Sequence, residues 1–392
     1  MDHIENKNAR VIAYYLPQFH PIPENDQWWG KGFTEWTNVG KSKPLFKGHY
    51  QPRVPADLGY YDLRLPEVRE EQARMAREAG VEGFCYWHYW FGNGRRLLER
   101  IFDEVLETGK PNFPFCLGWA NHSWTTKTWE SKKGFTSGMI AEQVYPGTQD
   151  YIDHFNYVLK AFKDERYITV DEKPIFVIFD PHAIPNCNDF INLWQRLAIE
   201  NGFKGIHFVG NIQNTSNIKK SQDGRNFELF PIDRSEYYYN SVINLGFDAV
   251  ASVGMWRAEA IMKGRLRMMF HRFCDSRFGI SRPQTFDYAD LMENYYVDED
   301  AWENVYPSIV PQWDRSPRAG KLNGIYVNST PENFEKVIRR ALTVVKDKDE
   351  EHKILFLKSW NEWAEGNYVE PDLKYGHGYL DALRNTIIAK TK

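Results

Sequence analysis

Apolar residues along this chain gather into eight short runs rich in β-branched and aromatic side chains. The segments between them carry the three-to-four-residue apolar spacing of helices. The runs fall at residues 10–16, 81–87, 113–119, 174–179, 205–210, 247–251, 306–311 and 354–357, and each predicts a short buried strand. A helix is predicted over 66–80, where Pro66 opens and Gly80 closes a stripe of Val68, Gln72, Met75, Ala76 and Ala79. Others are predicted at 95–108, 148–162, 189–200, 256–277, 288–294 and 378–389. One more opens at Thr330-Pro331, with Thr330 the better N-cap although Ser329 and Glu332 have capping-box spacing. From Pro17 to about residue 65, Pro, Gly and aromatic residues are too frequent for regular structure, and this stretch reads as a long loop. Long segments follow strands more than they precede them, the pattern of an α/β fold of the (β/α)8 TIM barrel type with long strand-to-helix insertions. No repeat, low-complexity tract or Gly/Ser linker divides the chain, so residues 1–392 are read as a single barrel domain.

The eighth run leads without a polar linker into Ser359-Trp-Asn-Glu-Trp-Ala-Glu-Gly366. A buried strand that ends in two carboxylates, Glu362 and Glu365, flanked by indoles suits glycosidic-bond chemistry. One carboxyl donates a proton, the second serves as base or nucleophile, and flat apolar faces hold the sugar. The structural alternative is a strand end at which Asn361 and the glutamates cap the next turn. In a barrel the residues just past each strand share one bowl. Here these are Gln18, His20, Tyr86, Trp87, His88, Tyr89, Asn121, His122, Asp180, His182, Asn211, Gln312, Trp313, Asn361, Glu362, Trp363 and Glu365, and Trp119, Trp124 and Trp360 join them as expected substrate-binding indoles. Amides and imidazoles exchange hydrogen bonds with hydroxyls, and indoles cover the apolar faces of pyranose rings. At least two of Trp87, Trp119, Trp124, Trp313, Trp360 and Trp363 are therefore expected to show an exposed face in the cleft.

Composition narrows the partner. A formal net charge of -4 without a basic block at either end offers no footprint for nucleic acid, so a neutral oligosaccharide or polysaccharide is the expected substrate. The basic segment from Arg257 to Arg277 could meet a phosphate or lipid headgroup, though such faces are usually only solvated. The N-terminus lacks the apolar core of a signal peptide and no apolar run reaches membrane-span length, so the chain is read as cytoplasmic. Cys85, Cys116, Cys187 and Cys274 show no Cys-x-x-Cys spacing and read as reduced core thiols. No metal is expected, since the histidines show no paired ligand spacing. Asp298-Glu299-Asp300 reads as helix capping, not as a metal-holding motif. No cofactor is expected either: Gly40-Lys41-Ser42 lacks the first glycine of a phosphate loop, where Glu35 stands instead.

Several segments together resemble a known family. Tyr15-Leu-Pro-Gln-Phe-His-Pro-Ile-Pro-Glu-Asn-Asp-Gln-Trp-Trp-Gly30, Gly32-Phe-Thr-Glu-Trp-Thr-Asn38, Gly83-Phe-Cys-Tyr-Trp-His-Tyr-Trp-Phe91 and Trp360-Asn-Glu-Trp-Ala-Glu-Gly366 resemble the WbsX-type proteins of bacterial polysaccharide gene clusters. These are in turn similar to glycoside hydrolase family 99, the endo-α-mannosidase family, through Asn-Glu-Trp-x-Glu-Gly and the Glu-Pro that here is Glu370-Pro371. Glu35 and Trp36, within the matched segments, and Tyr368, just past the last of them, complete the expected substrate-binding set. The resemblance implies Glu365 as general acid/base and Glu362 as the base toward the sugar 2-hydroxyl, with retention through a 1,2-anhydro intermediate. On that basis Glu365 is expected to hold the raised pKa of the pair. Many WbsX-type proteins read Ala-Asn-Glu-Asn-Trp-Thr-Arg-Arg after the third strand, whereas here it is Ala120-Asn-His-Ser-Trp-Thr-Thr-Lys127, with the carboxylate and both arginines missing. Three functions follow: a glycoside hydrolase, a glycosyltransferase of surface-polysaccharide assembly, and a glycan-binding barrel without turnover. Paired glutamates favour hydrolase-type chemistry.

Overall fold

A computed structural model describes residues 7–125, 138–212, 235–278, 283–321 and 324–389. Eight parallel strands run β1 (Arg10–Tyr15), β2 (Gly83–Trp90), β3 (Phe115–Trp119), β4 (Lys173–Ile178), β5 (His207–Ile212), β6 (Ala249–Ser252), β7 (Val305–Ile309) and β8 (Ile354–Leu357). Each pairs with its neighbours in sequence, and β1 pairs with both β2 and β8, which closes the ring. The fold is the expected (β/α)8 barrel. Nearly every strand residue is buried, because the axis covers one face and helices cover the other. The helices that follow strands include α3 (Pro66–Glu78), α4 (Arg100–Thr108), α5 (Thr148–Phe162), α6 (Cys187–Glu200), α7 (Ser235–Ile243), α12 (Pro331–Val345) and α13 (Gly378–Ile387). Thr330 caps α12 by accepting from Asn333 N at 3.3 Å, as its position predicts.

Inside the ring Tyr14 stacks on Trp87 at 4.7 Å and on Phe356 at 5.0 Å. Gly118 makes room for that indole: a Cβ there would stand 3.0 Å from the Trp87 ring. The outer layer is just as aromatic. Tyr86 packs on Phe102 and Phe115, and His88 meets His154 of α5 at 2.8 Å between ring nitrogens.

Three departures from the expected elements matter. First, β2 runs to Trp90 instead of stopping at residue 87, because Tyr89 and Trp90 are paired from the other side by Leu97 and Arg96. The same pairing delays the next helix to Arg100. Second, the stretch after β1 is not irregular throughout. It holds α1 (Pro23–Trp29), opened by Pro23, and α2 (Glu35–Lys41), whose Thr34 N-cap and Thr37 bond reciprocally. Third, the segment at 256–277 is two helices, α8 (Met255–Lys263) and α9 (Arg265–Phe278), broken at Gly264 with φ +76°. Two short helices complete the described set used below, α10 (Tyr288–Glu293) and α11 (Ser316–Ala319).

Candidate active site at the end of the eighth strand

The loop after β8 is held from several sides. Ser359 Oγ accepts from the backbone nitrogens of Asn361 at 3.2 Å and Glu362 at 3.0 Å, which turns the chain out of the strand. Asn361 then clamps the end of β1: its Oδ1 accepts from Leu16 N at 2.8 Å and its Nδ2 donates to Leu16 O at 3.1 Å. The loop returns at Gly366, φ +53°, where a Cβ would lie 2.8 Å from Asp314 Cβ. Gly366→Ala is expected to cost about 1–3 kcal/mol through left-handed strain and this clash, read as a lowered unfolding midpoint. Asn361→Ala removes two buried backbone partners and should cost about 1–3 kcal/mol by the same measurement.

Below the loop sits Glu370, a fully enclosed carboxylate that accepts from Trp360 Nε1 (2.9 Å), Trp363 Nε1 (2.6 Å), Gln72 Nε2 (2.6 Å) and Tyr61 OH (2.9 Å). Burial pushes its pKa up to about 7 against these four donors. The two indoles of the motif are thus committed to the loop's foundation.

Glu362 and Glu365 stand above it, and their charge states diverge. Glu365 Oε1 accepts from Arg318 Nη1 at 2.6 Å, with Arg315 Nε at 2.8 Å from the same oxygen. Burial raises the Glu365 pKa, but Arg315, Arg318 and Lys358 outweigh it and hold the carboxyl below its ordinary value. Glu362 is pushed well above its ordinary value by burial and by the Glu365 charge, against weaker help from Lys358 and Arg318. The expectation that Glu365 carries the raised pKa is reversed in direction, because both arginines sit on Glu365 and leave Glu362 as the raised member of the pair. Arg318 also donates through Nη2 to Glu35 Oε1 at 2.5 Å, and Glu35 Oε1 accepts from Ala364 N at 2.9 Å. Burial raises Glu35 in spite of Arg318. Glu35, at the first turn of α2, is therefore a buttress that aims Arg318 at Glu365.

Both arginines come from the segment after β7. Its Asp314 receives Glu365 through the backbone, Asp314 N to Glu365 O at 2.8 Å. Its carboxylate accepts from Gln51 Nε2 at 2.6 Å and pairs with His49 Nε2 at 2.8 Å and Arg53 Nη2 at 3.8 Å. Burial acts against that charge, but His49 and Arg53 bring the Asp314 pKa down to about 2. The long β1 insertion thereby locks the loop that carries the arginines.

Not every residue expected in the bowl is there. Because side chains alternate along β2, Trp87 and Tyr89 face inward, whereas Tyr86 and His88 face the helices. Trp119 is likewise in the helical layer, donating to Trp90 O at 2.9 Å and packed on His154 and Phe190. His20 has Asp62, Arg64 and Arg100 as charged neighbours, and burial takes its pKa down to about 4. Trp124 is enclosed by Trp28, Tyr89 and Phe91. Trp36 donates to Tyr61 O at 2.8 Å and packs at a tilt against Trp363, ring centroids 5.3 Å apart, and Trp363 stacks on Tyr368 at 3.7 Å. Of the six indoles expected to offer open faces, five are at most 7% exposed and Trp313 alone is half-buried. Their demand for burial and N–H partners is met inside the protein.

The remaining expected residues lie at or near the ends of neighbouring strands. His122, half-buried against Phe179 at 4.9 Å, is lowered to about 4 by burial and then by Arg315, which places it at the cationic side of the site. Asn121 ties the β3 and β4 ends together through Asp180 N and O, both at 2.8 Å. Gln312 accepts from Arg53 and donates to Tyr368 O at 3.0 Å. Asn211 donates to Tyr14 OH at 3.4 Å and leaves its Oδ1 unpartnered, as Gln18 leaves both amide atoms. Such buried orphans near a strand end are where a hydroxylated ligand would find partners. Thr126 and Lys127 of the divergent segment lie outside the described residues. Among the described residues no group of His, Cys, Asp and Glu could hold a metal ion. Nor is any helix among them long and apolar enough to cross a membrane. The Asp298 segment is a short turn whose Asp300 accepts from Ser252 Oγ at 2.6 Å and Tyr239 OH at 2.8 Å.

Arg315 and Arg318 were not among the residues expected at the site. A signal for them exists: Asp314-Arg-Ser-Pro-Arg318 follows directly on Gln312-Trp313, and Pro317 in the first turn of α11 sets both arginines on one short helical turn.

Comparison with known proteins agrees with the fold. The family model described as "Glycosyltransferase WbsX" matches residues 11–383. The WxcX proteins of Xanthomonas campestris pv. campestris, strains B100 and ATCC 33913, are each 33% identical over 385 residues, 98% of this chain and 50% of theirs. The chain therefore spans about half the length of the curated relatives it matches. Among solved structures, a glycoside hydrolase-like protein aligns with a TM-score of 0.58 at 15% identity, over 98% of this chain and 96% of its own. The GH99 endo-alpha-mannosidase from Bacteroides thetaiotaomicron aligns with a TM-score of 0.52 at 15% identity, over 96% and 95%. At those identities the likeness is one of fold. With its match running from β1 into α13, the chain belongs to the glycosyltransferase WbsX family.

Proposed function

We propose that this protein is a carbohydrate-active enzyme that works on glycosidic bonds of an oligosaccharide or polysaccharide, with Glu362 as proton donor and Glu365 as the ionised partner. The observation that carries the proposal is the asymmetric pair at the end of β8: two arginines bond Glu365 and lower it, while burial and the Glu365 charge raise Glu362. Two titratable groups pushed apart by their surroundings are what acid/base division of labour needs. In the step proposed, the Glu362 proton passes to the leaving oxygen as the C1–O bond breaks. Glu365 takes the proton of the sugar 2-hydroxyl, and that oxygen closes on C1 from the opposite face. The 1,2-anhydro sugar is then opened by an acceptor hydroxyl, with the protons returned, so the anomeric configuration is retained overall. Water as acceptor gives hydrolysis, and a second sugar gives transfer. This assigns the roles in the opposite sense to the one that the resemblance implies.

The pH profile is a direct check. Activity requires Glu362 protonated and Glu365 ionised, so the acid limb is expected below the usual glutamate range, near pH 4.3, and the alkaline limb well above it. A variant without Arg315 is expected to raise the acid limb. An alkaline limb that survives unchanged in Glu362→Asp would speak against Glu362 as the donor. Stability follows with the signs separated. The depressed Glu365 and Asp314 contribute stability that is present above their unfolded pKa values and is lost as pH falls through the folded ones. The raised Glu362 acts in the other direction, since the native state binds its proton more tightly and stability declines as pH rises toward its folded pKa.

The second reading, transfer to a sugar acceptor in polysaccharide assembly, is favoured by the name of the family whose model matches the chain. It uses the same two glutamates and differs in what opens the intermediate. Incubation with α-linked oligosaccharides, with and without added acceptor sugars, separates the two by whether reducing ends or lengthened products accumulate.

A further inference from the structure

Where β6 ends, the chain departs into α8, breaks at Gly264 and continues as α9. On α9, Leu266, Met269, Phe270 and Phe273 are 68%, 55%, 68% and 59% exposed. Their spacing of three, four and seven residues places them on one helical face, and Phe278 at the helix end is 61% exposed. A surface helix ordinarily turns such a stripe toward the core. Here it faces water. The helix sequence also carries four arginines against one acidic residue, and Arg267 and Arg277 are exposed.

We propose that α9 is an interfacial anchor by which the protein docks on an anionic lipid surface. The apolar stripe would enter the headgroup boundary while the flanking guanidinium groups remain among the lipid phosphates, the composition of helices that lie in a membrane interface. Charge decides against a second copy of the chain as the occupant, because the helix sequence is net positive and pairing two copies would set like charge against like. The insertion leaves from the C-terminal end of β6, and β8 delivers Glu362 and Glu365 at the corresponding end of the same barrel. Docking through α9 therefore brings that rim to the bilayer, where a glycan carried on a lipid would be presented. The inference rests on α9 itself and not on the roles of the glutamates.

The experiment is co-sedimentation of the full chain with phosphatidylcholine vesicles, with and without phosphatidylglycerol, for the wild type and for Phe270→Glu/Phe273→Glu. The wild type is expected to pellet with the anionic vesicles and far less with the neutral ones, with weaker binding at high salt. The double variant should lose roughly tenfold or more in partitioning. Both substituted side chains are more than half exposed, so its circular dichroism and unfolding midpoint should stay close to those of the wild type. Absence of wild-type binding to either vesicle, or equal binding by the double variant, would overturn the proposal. So would a wild-type dimer in light scattering that the double variant converts to monomer, since a second copy would then occupy the stripe.

Discussion

Glu365→Gln is expected to be inactive on every substrate, including aryl glycosides with activated leaving groups, while Glu362→Gln recovers part of its activity on the activated ones. The reason lies in which carboxyl keeps the proton. An acidic phenol needs little protonation to depart, so loss of the donor costs least there, whereas loss of the base removes attack by the 2-hydroxyl whatever the aglycone. On an unactivated glycan both substitutions should lower kcat/KM by about 10²–10⁴-fold, the usual contribution of a positioned acid or base. Rescue of Glu365→Gln instead of Glu362→Gln would restore the roles that the family resemblance implies. It would mean that substrate entry moves the arginines off Glu365 before reaction. The comparison is informative in both directions because neither substitution changes side-chain volume.

The second large effect belongs to Arg318. Its two terminal nitrogens hold Glu365 at 2.6 Å and Glu35 at 2.5 Å, and all three side chains are nearly withdrawn from solvent. Arg318→Met would leave two buried carboxylates facing each other with no cation between them. Breaking such an arrangement by removing one partner costs about 3–5 kcal/mol, far more than the pairs are worth when assembled from solvent. The expected outcome is a markedly lower unfolding midpoint, together with an acid limb of activity shifted upward as Glu365 loses its stabilising charge. Arg318→Lys keeps the charge but offers one nitrogen where two are used, so it should recover the stability in part and the pH profile less. Glu35→Gln in the Arg318→Met background should return stability by relieving the unpaired charge without returning activity. That separates the structural loss from the catalytic one.

Much of this was legible in the residues and some was not, for identifiable reasons. The barrel could be read because parallel strands buried on both faces appear as continuous apolar runs, and the run at 354–357 leads directly into two carboxylates. The inward and outward assignment on β2 could not. Tyr86 to Tyr89 were expected past a strand end, but pairing with Arg96 and Leu97 carries the strand on to Trp90, and a strand sends alternate side chains to opposite faces. Tyr86 and His88 therefore went to the helices. The tryptophans misled for a different reason. Trp360 and Trp363 fall at the motif where a sugar platform was expected, yet the buried Glu370 claims both of their N–H groups, and that carboxylate lies up to ten residues further along. Arg318 and Glu365 are 47 residues apart in sequence, and the parallel pairing of β7 with β8 brings their ends side by side. Local pattern reports what a segment is. It does not report which distant segment it will face, and the charge state of a carboxylate is decided by that neighbour.

The most direct measurement is product analysis by nuclear magnetic resonance over a panel of α-linked oligosaccharides and nucleotide sugars, with wild type beside Glu362→Gln and Glu365→Gln. The account predicts that the wild type cleaves or transfers at least one α-linked glycan with retained anomeric configuration, and that both variants fall to background on that substrate. Inverted products would contradict the proposed step, and variants as active as the wild type would remove the split glutamate pair from the chemistry altogether.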